Sequence, residues 1–409
     1  MADAASRRIA IAGAGIAGLT AALCFAKRGM TVDLFERAPE LQEVGAGIQL
    51  SPNATRILAP LGVLDRLMPA AVVPEAISIR DGANLRELAR LPLGAAAEKR
   101  WHAPYLVVHR ADLQSALVAA VHHEPLIRLV TGATVRDAAF HSRGVTISYD
   151  RNGAIGETAA MLLVGADGVW STVRAFGGPD RADRFSGFVA WRSTLHEGSV
   201  AAEALASLIH KRDVTAFLHP GMHLVAYPVR AGAAINLVAV VKGKQVARGW
   251  SNRGDDTPLR DAFANYAPAL APLADEAAPW TVWPIHTVDA RRPWTAPGGL
   301  ALIGDAAHAM TPFAAQGAAM AIEDAIVLAN LVAASPDDLP AALAHYEALR
   351  RPRIKNVAAR GRFNHFVWHA WGPVALGRDM VLKVLPGTVL TNQIGRHYGY
   401  DATKAAAPR

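Results

Sequence analysis

An apolar strand, a glycine-rich turn, a helix and a second strand open the chain and end at Glu36-Arg37. A long middle stretch, residues 183–288, alternates apolar and polar positions and is rich in aromatics. A further apolar strand at 300–304 then leads into an Ala-rich helix over 316–334, and the remainder is mostly helical. These observations predict an α/β protein. Its expected parts are a Rossmann-like domain, a mixed-sheet domain interleaved with it, and a helical C-terminal segment.

Length and composition fit that architecture. The chain has 409 residues, 52% hydrophobic and 19% charged, with a mean hydropathy of +0.17. At about 100–200 residues per domain this leaves room for two or three domains, and the composition excludes a disordered chain. Cys24 is the single cysteine, so no internal disulfide and no four-cysteine zinc site can form. A reducing, cytoplasmic compartment is expected. The net charge of +7 comes from arginine, since only eight of the 42 basic residues are Lys. The arginines are scattered, which favours small anions over nucleic acid as partners.

Taken in order, Arg8–Ala12 is the first strand and 19–28 the first helix, with Lys27 and Arg28 in its last turn and Gly29 as a left-handed cap. Residues 31–35 (TVDLF) form the second strand. The 18 residues 9–26 carry no charge, which could suggest a membrane span or a signal peptide. Gly13, Gly15 and Gly18 inside the run, and the want of a small-residue cleavage site, favour a buried strand entering a buried helix. No cleaved leader and no membrane association are expected. Residues 78–80 and 91–105 look irregular. A strand at 105–108 precedes a helix at 110–121, strands follow at 134–138 and 145–149, and 160–165 leads to a second glycine-containing turn.

Gly13-Ala14-Gly15-Ile16-Ala17-Gly18 matches G-x-G-x-x-G. The first Gly permits the tight turn, the second lets backbone approach a pyrophosphate, and the third lets helix and strand pack closely. The helix N-terminus offers free N–H groups to phosphates. A packing turn could use the same glycines. Here, however, the motif follows a strand, opens a helix and has Glu36 at the end of the next strand. That carboxylate can accept both ribose hydroxyls of an adenosine, with Arg37 beside it.

Two further segments narrow the dinucleotide. They are Gly165-Ala166-Asp167-Gly168-Val169-Trp170-Ser171-Thr172-Val173-Arg174 and Gly304-Asp305-Ala306-Ala307-His308, the latter continuing through Pro312-Phe313 to Gln316-Gly317. With the first fingerprint they resemble, in order and over the whole chain, the three motifs of the group A flavoprotein monooxygenases, the single-component aromatic hydroxylases. Gly45-Ala46-Gly47-Ile48-Gln49-Leu50-Ser51-Pro52-Asn53 and Tyr398-Gly399-Tyr400-Asp401 look closest to the salicylate hydroxylase, 3-hydroxybenzoate 6-hydroxylase and 6-hydroxynicotinate 3-monooxygenase members.

The resemblance implies FAD as cofactor and NADH or NADPH as reductant. It implies an FAD-binding domain from 1–77, 105–182 and 289–360, a substrate domain from 78–104 and 183–288, and a helical segment at 361–409. Asp305 would meet the ribityl hydroxyls, though an Asp there could also be a plain helix cap. Gln316, Gly317 and Ala318 would present helix N–H groups to the reduced flavin. Arg110 resembles the family's flavin-contacting arginine, against a surface salt bridge as the bland alternative. Asp167 belongs to a segment linked with both FAD and NAD(P)H, or else holds a turn. Pro312 matches the proline near the flavin's reacting edge, and Phe313 is expected beside the substrate.

The implied chemistry inserts one atom of O2 into a small phenolic or hydroxylated heteroaromatic substrate, through a C4a-hydroperoxyflavin. That electrophile is weak, so the phenol must give up its proton to activate its ring carbons. His223 and Tyr227, four apart on an expected strand, face one side and resemble the His…Tyr-Pro strand lining the family's ring pocket. His219, before Pro220-Gly221, is a weaker rival on a hairpin loop. Arg192 could clamp a substrate carboxylate if it faces the pocket, or be solvated on the other face. Gln49 stands where some relatives carry His, so no base transfers to it. His308 reads as structural. The histidines read as dispersed, with His122-His123 the only adjacent pair, and no metal site is expected. No G-x-S-x-G elbow occurs. The rival readings are a flavin-dependent reductase or dehydrogenase of a quinone or isoprenoid, without oxygen insertion, and a non-catalytic flavin-binding protein. The expected partners are a small aromatic substrate, O2 and NAD(P)H, with the protein a monomer or homodimer. Trp368 and Trp371, near Arg378 and Lys383, could line the substrate entrance, dimerise or touch a membrane.

Overall fold

The structure, a computed structural model, describes residues 7–41, 46–142, 144–178, 183–249, 252–296 and 298–405. Arg8–Ala12 sits near the middle of a six-stranded sheet, between Leu162–Gly165 and Thr31–Glu36, both parallel to it. Strands flanked and covered on both sides read as continuous apolar runs, and Ile9 through Ile11 are fully buried. Leu300–Leu302 extends the sheet in parallel beyond Leu162–Gly165, and Ile127–Thr131 does so beyond Thr31–Glu36. Thr295–Ala296 is an antiparallel edge.

The helix Ile16–Ala26 begins at Gly15, one turn earlier than the residue pattern alone suggests, and Gly29 follows it at φ +74°. It packs between that sheet and the helix Gly317–Ala334, which explains the charge-free stretch without any membrane. Cys24 lies in this core, where burial pushes its thiol up to about 12, so it is inert. Gly317–Ala334 is itself long and apolar enough to cross a bilayer, but 72% of it is buried inside the protein.

A seven-stranded sheet forms the second layer, in the order Thr281–Val288, Asp183–His196, Ala234–Lys242, Met222–Val229, Val214–Leu218, Ala76–Asp81 and Glu87–Pro92. Most pairs are antiparallel, as the alternating pattern predicts. The exception is Val214–Leu218, which runs parallel to Ala76–Asp81 and stitches the earlier chain into this sheet. Residues 78–80 and 91–105 are therefore more regular than expected. They contain those strands and a helix, Gly94–Trp101, entered through Gly94 at φ +56° and closed by a left-handed His102. The backbone reversals at both ends hide the order from a pattern of apolar residues.

At the C-terminus, the helices Leu339–Trp368, Gly372–Val384 and Gly387–Tyr398 wrap back over both sheets. Tyr398 lands on Trp101 and Tyr105, with ring centroids 5.4 and 5.5 Å apart. Trp368 packs on His223 at 5.0 Å, Trp371 is 74% exposed, and Arg378 pairs with Asp379.

Candidate active site

The nucleotide end is built by what each glycine touches. Gly13 adopts φ +100° and donates its N–H to the Phe35 carbonyl at 2.7 Å. A Cβ there would lie 2.6 Å from the Ala166 carbonyl oxygen, and one at Gly18 would run into the Gly13 carbonyl. Gly15 differs, with no atom within 4 Å of its Cβ position. Two glycines thus serve close packing, and the third opens onto space at a helix N-terminus, where a pyrophosphate fits. Ala17 lies beneath Gly304. Glu36, at the strand end, accepts the N–H groups of Ala14 at 2.8 Å and Ala38 at 2.9 Å. These bonds aim the carboxylate while leaving lone pairs for sugar hydroxyls. Arg37 is exposed beside it, and Gly45 lies outside the described residues.

Asp305 follows Gly304, which takes φ +58°. Burial pushes the Asp305 carboxyl up, while His308 and Arg110 oppose the shift. The Arg110 guanidinium is likewise pushed down by burial, with Asp305 pulling the other way. Asp305 and Arg110, the latter at the start of the helix Arg110–His122, thus lie within each other's electrostatic reach. Gln316 caps Gly317–Ala334, donating to Ser51 Oγ at 2.8 Å and accepting from Asn53 at 3.2 Å. Nothing lies within 4 Å of a Cβ at Gly317, so the 18-residue helix offers unobstructed N–H groups there, continuing through Ala318. Two open glycine-headed helix ends, an acid at a strand end and the Asp305–Arg110 pair suit the pyrophosphate, ribose and flavin ring of FAD.

A buried ion network that the motifs did not disclose fixes this end. Asp324 accepts the Gly304 N–H at 2.9 Å, meets His308 Nε2 at 2.6 Å and takes Arg350 Nε at 2.7 Å. Glu323 binds Arg350 at 2.6 Å, Arg353 at 2.8 Å and Asn53 at 2.7 Å. His308 is thus structural, as expected. The available signal was two adjacent acids inside an otherwise apolar helix, which must find cationic partners when buried.

Asp167 holds its turn: Oδ2 accepts Thr172 N–H at 2.8 Å and Val173 N–H at 3.1 Å, while Oδ1 is buried and has no hydrogen-bond partner among the described residues. Beside the turn, Arg174, Arg248 and His286 line a cleft of about 680 Å³ where the two sheets meet.

The seven-stranded sheet supplies the other wall. Arg192 lies on the same face of its strand as Ala190, whose cluster includes Phe313, and opposite to Trp191. Its guanidinium stacks over Trp283, and Nε has no hydrogen-bond partner among the described residues. Among the described residues no carboxylate pairs with it. Burial and then Arg110 push it well below the usual arginine range, with Tyr227 opposing. Arg192 is thus half-buried on the Phe313 side of its strand rather than fully solvated. Tyr227 is 3% exposed, and burial pushes its phenol up against the pull of Arg192. The backbone of Gly47 passes so close that a Cβ would lie 2.5 Å from the Tyr227 ring. Gln49, on the neighbouring strand Gly47–Leu50, accepts from Tyr105 Oη at 2.6 Å.

His223 is 3% exposed and shares its strand face with Tyr227. Its ring packs on Phe313 at 5.3 Å, and its Nδ1 lies 3.2 Å from His369 Nε2. Burial, with His369 and His365 adding like charge, pushes its pKa well below the ordinary histidine value. Pro312 opens the short turn Pro312–Ala314 that carries Phe313, and Asn364 latches that turn by donating to the Phe313 carbonyl at 2.8 Å. His219 sits in the loop after Leu218, against Tyr266 at 5.1 Å. His365 and His369 lie one turn apart, an H-x-x-x-H spacing that reading the histidines as dispersed overlooks. Among the described residues no group of three side chains is assembled as a metal site.

This architecture matches known proteins along its length. The family model for the FAD binding domain covers residues 7–361. The 3-amino-4-hydroxybenzoate 2-monooxygenase of Streptomyces cremeus is 34% identical over 98% of this chain and 98% of its own. The 3-hydroxybenzoate 6-hydroxylase 1 of Aquipseudomonas alcaligenes is 34% identical over 97% of this chain and 98% of its own. A salicylate hydroxylase solved as a substrate complex superposes with a TM-score of 0.81 at 25% identity, covering 99% of this chain and 98% of that one.

Proposed function

The chain belongs to the FAD-dependent aromatic monooxygenases, and from that premise we propose that its substrate is a small phenol or hydroxylated heteroaromatic carrying a carboxylate. The observation that supports this most is Arg192, a half-buried arginine whose Nε is shielded from solvent and which has no acidic partner among the described residues. A partly buried charge without a counter-charge is costly, and an incoming carboxylate supplies the missing partner in bidentate form. FAD, reduced by NADH or NADPH, supplies the activation of O2.

The protein's own residues do the rest. Arg192 holds the carboxylate at one end of the ring. Tyr227 hydrogen-bonds the phenol oxygen, and His223, neutral near pH 7, accepts its proton. Removing that proton raises electron density at the ortho and para carbons, which is where an electrophilic oxygen is received. Pro312, Phe313 and Gln49 shape the wall and exclude water. The cleft beside Asp167, lined by Arg174, Arg248 and His286 together with Asp183, is the candidate place for the nicotinamide reductant.

The test is a panel of hydroxybenzoates and hydroxynicotinates against their carboxamides, scored by perturbation of the bound flavin's absorbance and by NADH and NADPH oxidation. A charge-assisted pair contributes about 2 kcal/mol, so acids should bind about 30-fold tighter than amides. Equal binding of acid and amide would remove Arg192 from the substrate.

A further inference from the structure

His223 does not stand alone at its end of the pocket. Its Nδ1 is 3.2 Å from Nε2 of His369, the residue that closes the helix Leu339–Trp368. His369 packs in turn on His365, one turn earlier, with ring centroids 4.8 Å apart. Burial falls along this line, from His223 at 3% exposure to the half-buried His369 and His365. Phe188, Phe313 and Trp368 wall the three rings. The charged and titratable groups facing the line are Lys242, beside His365 and His369, and His219, beside His369, with Asp81 behind His219.

A base at the position of His223 faces a physical problem. On taking a proton it becomes an imidazolium in an apolar pocket with like-charged neighbours, and an isolated buried cation is expensive. A neighbour that accepts the proton on the other ring nitrogen removes that cost. With Nδ1 committed to His369, Nε2 is the nitrogen left for the substrate.

We propose that His369 is the positioning residue for His223 and the first carrier of the substrate's proton out of the pocket, with His365 next toward solvent. The proposal rests on the reading of His223 as the base. The substrate O–H bond breaks as an N–H bond forms at His223 Nε2. The His223 Nδ1–H bond breaks as one forms at His369 Nε2, and the His369 Nδ1 proton leaves to His365 or water. The pocket then holds a phenolate beside a neutral His223, with the proton in solvent. Both rings have moved their proton from Nδ1 to Nε2, and reprotonation of the product oxygen runs the line backward and resets them. His369 is held down at about 4 by burial and by the charges of His365, Lys242 and His219, so both rings rest neutral near pH 7, one donating and one accepting.

The test uses the FAD-loaded, oxidised protein with 3-hydroxybenzoate as the probe, and needs no turnover. A stopped-flow pH jump follows the phenolate absorption of the bound probe in wild type, His369→Phe, His369→Ala and His223→Ala. FAD content near one per chain certifies each variant. His369→Phe keeps the ring packing, and should slow ionisation at least tenfold while probe affinity stays within twofold. His369→Ala should be slow and accelerated by added imidazole. Ring 15N spectra without any ligand should show His223 as the Nδ1–H tautomer. Wild-type ionisation in His369→Phe, or an Nε2–H tautomer at His223, would overturn the relay. Ionisation untouched in His223→Ala would instead remove the reading of His223 as base, a distinct outcome.

Discussion

The Asp324 carboxylate accepts the Gly304 backbone N–H at 2.9 Å, and so holds the turn that leads into Asp305. The same carboxylate meets His308 and Arg350, tying three helices to one strand end. Burial works to raise the Asp324 pKa, but His308 and Arg350 outweigh it and hold the group below the usual carboxylate range. Replacing Asp324 by Asn leaves Arg350 half-paired in the core, and losing one member of such a pair costs about 3–5 kcal/mol. Urea unfolding of the apoprotein should show that loss, and FAD titration should show weaker binding. Because the folded pKa is depressed, the stabilisation is complete above 3.8, the ordinary value, and is lost as pH falls through the lower folded one. The Asn variant should lack this acid limb.

The fingerprint glycines should separate by role. Gly18→Ala drives a methyl into the Gly13 carbonyl and should lower the melting temperature of the apoprotein. Gly15→Ala meets open space and should leave the apoprotein's melting temperature unchanged while weakening FAD binding tenfold or more. A cofactor-free Gly15→Ala protein as unstable as Gly18→Ala would show that Gly15 is a packing glycine too.

Arg192→Met should act in opposite directions on binding and folding. Removing a half-buried charge that lacks an acidic partner among the described residues should leave stability equal or higher, whereas affinity for aromatic acids should fall about 30-fold and affinity for their amides should not. Calorimetric melting and flavin difference spectra measure the two effects separately.

Histidines that fold into buried sites beside other cationic groups make the protein acid-sensitive. Burial pushes His369 and His397 down to about 4, and His223 also moves down. Between 6.5, the ordinary value, and about 4, the unfolded chain binds protons that the folded one refuses, so stability is full above 6.5 and falls as pH drops through this window. Melting temperature against pH should trace that decline, and His369→Phe should flatten it.

The residues that were legible in sequence are those whose partners lie close along the chain. Gly13 to Glu36 is one β-α-β unit, so its spacing alone carried the nucleotide reading. The alternation over 183–288 likewise announced a sheet and put His223 and Tyr227 on one face. The orientation of Arg192 was not legible, because one residue of register decides which face it takes. The network of Asn53, Glu323, Asp324, Arg350 and Arg353 joins distant helices, and only the acid pair in an apolar helix pointed to it. His369 was invisible for the same reason: nothing local says that the end of a 30-residue helix returns to the His223 strand.

The most direct measurement is mass spectrometry of the product formed from a hydroxylated aromatic acid under 18O2, with NADH or NADPH consumption recorded in parallel. One labelled oxygen per product molecule, matched by one reductant oxidised in productive turnover, is the predicted result. Substrate-dependent oxidation of the reductant that yields a reduced product without label would contradict it.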